Sequence, residues 1–592
     1  MRRANRLPNA TRPHALAAAI LAFLALLPGL AQAYDPAQAP RYGSQNIYQL
    51  DVNGLVVHGP GSTGPVDGMS VTPGANAISR TLAQKLGERT SLNDYIKPFD
   101  LGDYAFAIER AAANGVKEIH ATKDQLRYTF KHTANLPNAE MRLICDGNYQ
   151  VELNLAGNND YLIVAGNPTT HSYHFHVIGC LITKDQASTQ GAVFKIQNLN
   201  FWSIDNVRVY SANKFWRGLE LISASSGVSR DVVIDSVQER AAYINGGPAA
   251  FGTPNGGVVD NIFDNWYVSS CVTNPADMTQ DGAFYLDTYF QAQWFLNTKV
   301  TGCKGYSYFF KGSPESLSTN QLNFVFNPNS DAAPLPENRD LPHKAGTAYF
   351  GYVGSTQIAG PASWTAGWGM PAINFSEYSQ SNTARGFQVP VNRAGGVGVS
   401  DNGVQNNVEA IEAVGYDGLG ESALTIGPKA NKGRYKGIKA QQLKHAVIDQ
   451  SADSAGYTLD DLAYTAISSL PLVGMAGNTN EATVKTIRNV TNLDSGPAIV
   501  AASSMLNLPD RGETFFINSA GTINGIVPTY IGRRVTLILT TPGTVVADVG
   551  SAAAGTGALY LSPAGNVTTD HNRWRMTFEW KGDFWFEVAR VH

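Results

Sequence analysis

The chain has 592 residues, 43% of them apolar and 16% charged, with a formal net charge of −4 at pH 7. That balance argues against nucleic acid and anionic membrane as partners, although a local basic patch could still meet an acidic polysaccharide. Its 58 glycines, 25 tyrosines, 25 phenylalanines and 9 tryptophans suit a β-rich protein with many turns and aromatic surface platforms.

Arg2, Arg3, Arg6 and Arg12 precede an apolar stretch from Ala15 to Leu30, and Ala31-Gln32-Ala33 has the small-x-small form of a cleavage site. Residues 1–33 therefore read as an export signal cut after Ala33. The stretch is short and broken by Pro28 and Gly29, and no later segment would span a bilayer, so no membrane insertion is expected. Export leaves 40 Lys+Arg against 48 Asp+Glu, a net charge near −8, on a secreted or periplasmic chain.

Residues 34–95 read as an irregular N-terminal segment or linker, with a short amphipathic helix or linker at Ala77 to Leu86. Asp103 to Ala113 reads as a helix: Asp103 can cap it, Phe106 and Ile108 are apolar, and Gly115 stops it. Placed ahead of a sheet stack, it would cover an open edge.

A repeat follows. Phe175-His176-Val177-Ile178, Ile204-Asp205-Asn206-Val207, Ile234-Asp235-Ser236-Val237, Phe263-Asp264-Asn265-Trp266 and Leu296-Asn297-Thr298-Lys299 place a polar residue at His176, Asp205, Asp235, Asp264 and Asn297, about 30 residues apart. A second motif, Gly191-Ala-Val-Phe-Lys-Ile, Gly218-Leu-Glu-Leu-Ile and Gly282-Ala-Phe-Tyr-Leu, rides on the same period. Repeats of this size, made of strand-like runs bounded by turn residues, predict a solenoid. The fold expected is all-β: a right-handed parallel β-helix over residues 96–453 with an N-terminal capping helix. Asp205, Asp235 and Asp264, falling at one turn position, would form an Asn/Asp ladder that bonds turn backbone. Register is lost between Gly312 and Pro371. Residues 454–482 read as a linker, and 483–592 as a C-terminal module of antiparallel strands.

There are four cysteines, Cys145, Cys180, Cys271 and Cys303. Cys271 and Cys303 occupy matching places one repeat apart, so coil stacking would bring them within disulfide reach or leave them as two stacked buried thiols. No CxxC or paired-histidine motif points to a metal, and no cofactor is expected.

Three segments resemble the phage tailspikes and the pectate-lyase-like β-helix proteins around them. Ser79-Arg-Thr-Leu-Ala-Gln-Lys-Leu-Gly-Glu-Arg is similar to the entry segment of that group, and Asp103-Tyr-Ala-Phe-Ala-Ile-Glu-Arg to its capping helix. The stretch from Gly532-Arg-Arg-Val-Thr-Leu-Ile-Leu to Phe584-Trp-Phe-Glu-Val is similar to its small closing modules. The chain departs from the pattern at Asp100-Leu-Gly-Asp103, where the group has a fuller Gly-Asp-Gly turn. An export signal is foreign to a phage structural protein. Tailspike-like proteins that carry one accompany bacterial exopolysaccharide clusters of the amylovoran and stewartan type. This resemblance implies a secreted glycanase acting on the producer's own polymer, commonly as a homotrimer.

Glycosidic hydrolysis uses two carboxyl groups across the scissile bond. Alternation in Gly218-Leu-Glu-Leu-Ile turns Glu220 outward. In Gly282-Ala-Phe-Tyr-Leu-Asp, burial of Phe284 and Leu286 exposes Tyr285 and Asp287, whereas a literal alignment of the two glycines would shift that assignment by one residue. Glu220 and Asp287, two coils apart, are the expected catalytic pair, with Asp281 a third candidate and Glu239, Asp260, Glu315 and Glu377 in reserve. Tyr285, Tyr289, Trp266 and Trp294 fall in the same coils and could stack on sugar rings, or equally form core. Lys299, Lys304 and Lys311 lie nearby and leave open a polysaccharide lyase acting on a uronate-containing polymer. A non-catalytic polysaccharide-binding solenoid is the remaining alternative.

Overall fold

The computed structural model describes residues 90–591, apart from short stretches of which 332–343 is the longest, together with Ser70–Val71 and Arg80–Thr81. The chain forms two compact units. In the smaller, Ser70–Val71 pairs antiparallel with Arg80–Thr81. Arg80 and Thr81 are thus extended rather than helical, and the rest of Ala77–Leu86 and the export signal lie outside the described residues.

The larger unit begins with the expected helix, Tyr104–Ala113. The Asp103 side chain accepts from the Ala105 amide, and Gly115 follows with φ +73°. Ala105, Ala107, Ile108 and Ala111 are buried against the first coils, while Phe106 turns outward.

From Glu118 to Asn492 the chain winds a right-handed parallel β-helix of about 15 turns. Strands stack in register on three faces. The first face runs from Glu118–Ala121 through Ser172–Ile178, Leu199–Asp205, Val228–Arg230, Ile262–Asp264 and Trp294–Leu296 to Lys485–Asn492. The second runs through eight strands, from Arg127–Phe130 to Asn329–Asp331. The third runs from Ala134–Leu136 through Ala192–Gln197, Arg217–Ile222, Ala242–Asn245, Gly282–Leu286 and Gly305–Phe310 to Leu472–Val473. Alternation along each strand sends every second side chain inward. Phe263 and Phe295, one coil apart, stack at 4.9 Å inside the core.

In the middle coils a single residue with positive φ turns the first face into the second. Asn206, Asp231, Asn265, Asn297 and Asn327 hold this corner with φ between 51° and 54°. Asn and Asp tolerate this left-handed conformation better than other side chains. Asn265 donates to Asp231 at 2.6 Å and Asn327 to Asn297 at 3.0 Å, so a polar ladder does run along the helix. Of the aspartates expected to form it, Asp264 takes part, accepting from Asn297 at 3.3 Å, while at Asp205 the corner falls one residue later, on Asn206. Asp205 and Asp264 lie on the first face with Arg230 between them, but Asp235 lies on the second, between Tyr210 and Ser269. His176 faces Ser203 rather than Asp205. The spacing near 30 residues therefore joins corners of different faces, because each corner uses the same Ile-Asp-polar chemistry.

Between Gly312 and Pro371, where the sequence loses register, Phe324–Phe326, Ala345–Phe350 and Gln357–Trp364 keep the parallel stacking. The segment expected as a linker, 454–482, contains Tyr457–Thr465, a first-face strand paired with Gly433–Gln441 and Lys485–Asn492. The β-helix thus extends some way beyond residue 453. The C-terminal module, part of the larger unit, has its own core, with Phe515, Leu537, Met576, Phe578, Trp580 and Trp585 buried. Arg534–Leu539, Trp574–Trp580 and Trp585–Val591 pair antiparallel as expected, but Ala498–Val500, Thr514–Ile517 and Arg534–Leu539 pair parallel, so the module is mixed.

Cys145–Cys180 and Cys271–Cys303 are both disulfides, closing 35- and 32-residue separations between neighbouring coils. Among the described residues no helix is long and apolar enough to cross a membrane.

Candidate functional site

On the third face the inward positions are Ile163, Phe194, Leu219, Ala242, Phe284 and Tyr308, all fully buried or nearly so. The outward positions between them fall in one column: Val164, Lys195, Glu220, Tyr243, Tyr285, Phe309 and Tyr349. Glu220 and Tyr285 point outward, as alternation requires, and Phe284 and Leu286 are core; yet both outward side chains are only 6% exposed, because Lys195 and Arg217 close over Glu220 while Tyr306, Phe309 and Met370 pack around Tyr285, so Tyr285 is not the exposed platform expected of it. The literal glycine alignment is therefore the wrong one: Leu219 faces Ala242 and Ala242 faces Phe284, which puts Gly218 level with Ala283.

The three carboxylates singled out from sequence all lie on this face, and each is engaged by a cation. Glu220 sits 3.5 Å from Lys195 and 3.2 Å from Arg217, and accepts from the Tyr161 hydroxyl at 3.4 Å. Arg217 also binds Glu239. Glu239 lies 3.5 Å from Arg240, which reaches Asp281 at 2.7 Å. Asp287 accepts from the Tyr243 hydroxyl at 2.7 Å and from Lys311 at 2.8 Å. Aromatic rings fill the spaces. Arg217 lies 4.5 Å over Tyr243, Arg240 lies 3.7 Å over Tyr285, and Tyr243 stacks on Tyr285 at 5.9 Å. Guanidinium groups over tyrosine faces are held electrostatically as well as by packing. The result is one charged strip in which four carboxylates meet four cations.

Position within the strip separates the candidates. Glu220 and Asp287 are two coil steps apart and offset by two residues, which places their backbones about 12 Å apart with Tyr243 on the coil between. Asp281 and Asp287 stand at opposite ends of one strand, about 20 Å apart along the backbone. Asp281 therefore pairs with neither expected partner. It is 3% exposed, and its company is Glu239 on the next coil, one guanidinium away. Burial pushes the Asp281 carboxyl above the usual aspartate range, against the opposing hydrogen bond from Arg240. Burial also pushes Tyr161 up to about 12 and raises Tyr243, whose phenol faces the Asp287 carboxylate.

Of the aromatic candidates, Tyr285 belongs to the strip, packed between Tyr243 and Phe309. Tyr289 lies just beyond, at a corner with φ +47°. Trp266 is core: it is 1% exposed, packs on Phe263 and Phe284, and donates to Ser229 at 3.1 Å. The left-handed Asn265 before it shifts the alternation by one and turns the indole inward. Trp294 is exposed but on the first face, stacked on Phe324 at 4.3 Å. Lys311 joins the strip, while Lys299 lies on the second face beside Tyr267. Sequence reasoning missed Tyr161, Lys195, Arg217, Arg240 and the role of Tyr243. A signal for two of them exists, since Arg217 precedes Glu220 by three residues and Arg240 precedes Tyr243 by three, one coil later. Among the described residues no group of three or more His, Cys, Asp or Glu side chains is placed to hold a metal ion.

No family model and no curated protein matches the chain. Solved structures do resemble it. The mannuronan C-5 epimerase AlgE6 A-module of Azotobacter vinelandii is 11% identical, with a TM-score of 0.44, covering 69% of this chain and 100% of its own. The tailspike of E. coli bacteriophage HK620 is 10% identical, with a TM-score of 0.40, covering 81% and 84%. The surface adhesin PfbA of Streptococcus pneumoniae is 10% identical, with a TM-score of 0.37, covering 85% and 98%. At such identities the likeness is one of coiling, and no side chain is carried across.

Proposed function

We propose that the protein is an exported enzyme that cuts a bacterial exopolysaccharide by hydrolysis on its third face, with Asp287 and Glu220 as the carboxyl pair. The observation that supports this most directly is the placing of Tyr243: it is level with Glu220 on one side and bonded to Asp287 on the other. A phenol so placed orients Asp287 and offers a ring edge to a sugar between the two carboxylates. The wide backbone separation leaves room for a water molecule, which suits the inverting route. Asp287, the more exposed of the two side chains at 19% against 8%, is the group that reaches the glycosidic oxygen, and Glu220 the one that activates water. Asp281 acts at one remove, by holding Arg240 over Tyr285.

The test is to incubate mature protein, beginning at Tyr34, with the producer's own exopolysaccharide and to weigh the fragments. Fragments heavier by one water than the repeat support hydrolysis. Binding without fragments returns the protein to the non-catalytic solenoids. A second reading, β-elimination on a uronate, draws support from the four cations of the strip, Lys311 above all, and would show as an unsaturated product absorbing in the ultraviolet. Export after Ala33 is checked by sequencing the N-terminus of secreted material, and the trimer implied by the tailspike resemblance by light scattering.

A further inference from the structure

Just before the charged strip the same face opens into a concavity of about 540 Å³, whose lining includes Asn135, Asn158, Asn159, Asp160, Tyr161 and Lys195. It is continuous with the strip, because Asn135, Val164, Lys195 and Glu220 are successive members of one outward column. Tyr161 and Lys195 belong to both.

The chemistry of its wall differs from that of the strip. Three amides and one carboxylate dominate, and the ammonium of Lys195 is answered by Glu220. The Asn158 amide has no protein partner among the described residues. Asn135 and Asn159 use their amide nitrogens internally, on Thr133, Lys131 and Ala156 carbonyls, and among the described residues no donor reaches their side-chain oxygens. One oxygen of Asp160 accepts from Gln190 at 2.6 Å and the other is spare. Spare amide and carboxylate oxygens beside a free amide match the mixed donor and acceptor pattern of sugar hydroxyls.

The wall is also held in place. Buried Lys184, packed over Phe215, donates to the Asn159 main-chain carbonyl from beneath. Gly191 lies so close under the loop that a Cβ there would come within 2.2 Å of the Asp160 carbonyl oxygen. A loop fixed in this way loses little freedom when a ligand settles on it.

We propose that this concavity is a subsite for neutral, hydroxyl-rich sugar residues that adjoin the bond cleaved on the strip, so that the glycan lies parallel to the helix axis from Asn135 towards Asp287. The proposal rests on the functional reading above and adds the class of sugar and the direction of the chain. An acidic sugar is disfavoured by Asp160 and finds no unanswered cation in the wall.

The experiment uses the mature protein and the producer's exopolysaccharide, together with neutral and uronate-bearing oligosaccharides made from it by mild acid hydrolysis. Binding is measured by calorimetry, and cleavage separately. The double variant N135A/N158A alters only exposed side chains and is checked for wild-type thermal stability. The expected result is at least tenfold weaker binding of neutral oligosaccharides, with KM for the polymer raised and kcat little changed. Cleavage by both proteins with equal binding would overturn the subsite while leaving the function intact, as would preference of the wild-type protein for uronate-bearing fragments. A wild-type protein that neither binds nor cleaves any of these probes would overturn the functional reading and the subsite with it.

Discussion

Tyr243 donates its phenol hydroxyl to Asp287 at 2.7 Å from the neighbouring coil, while Lys311 approaches the other carboxylate oxygen at 2.8 Å. The Asp287 side chain is therefore oriented by two donors on opposite sides, and the Tyr243 phenol is kept protonated by burial and by the carboxylate it faces.

Asp287→Asn preserves shape and is expected to cut turnover by about 10² or more, the scale of general acid–base catalysis, with little change in melting temperature. Tyr243→Phe leaves the carboxylate in place but held by Lys311 alone, and is expected to cost about tenfold. Steady-state kinetics on the polymer check both. Full activity in D287N would remove the proposed mechanism.

Arg240→Ala is expected to be a stability variant first. It leaves Asp281 buried without its cation, a loss of about 3–5 kcal/mol when one partner of a buried pair is removed. The deficit depends on pH with a definite sign. Burial holds the Asp281 carboxyl above its unfolded value, so the folded chain binds that proton more tightly. The stability from this group is present below the unfolded value and is lost as pH rises through the folded one. Without Arg240 to oppose the shift, the deficit should grow from about pH 4 upward and shrink on acidification. Denaturant melts of R240A and the parent across pH measure it.

His176 gives the opposite trend. Burial, with Arg142 and His174 nearby, pulls its imidazole down to about 4, and its Nδ1 lies 2.9 Å from the Ser203 hydroxyl. The unfolded chain takes up the proton near the ordinary value of about 6.5, so the contribution is complete above that pH and is lost as pH falls towards 4. It amounts to at most about 3 kcal/mol. His176→Asn should flatten the acid limb of the stability curve, and an NMR titration should find His176 still neutral at about pH 5.

Much of this was open to sequence reading at the level of pattern. The period, the turn residues and the outward direction of Glu220 and Tyr285 follow from alternation within single strands. What failed was phase across corners. One left-handed residue such as Asn265 reverses which side chains face the core, so Trp266 turns inward; Trp294 lies on another face because the left-handed Tyr289 and Ala292 carry the chain round to the first face of the next coil. Asp235 aligns with Asp205 in the sequence because two different corners end strands with the same residues. The ion pairs are hidden for a different reason: Arg240 meets Asp281 across 41 residues, one full coil further along the chain.

Each disulfide closes a loop of more than 30 residues, and removing either is expected to cost about 4 kcal/mol through unfolded-chain entropy. Melts with and without reductant, and of a C271S/C303S variant, check this. A melting temperature unmoved by reductant would contradict it.

The same two bonds have a mechanical meaning. A stacked-coil protein holds each layer mainly through its immediate neighbours, so damage can travel from an end one layer at a time. The Cys145–Cys180 and Cys271–Cys303 staples bracket most of the layers that carry the strip. Fraying that starts at the far C-terminal coils would meet a covalent stop at Cys303, and the layers from Glu220 to Tyr285 would stay stacked behind it while those beyond peeled away.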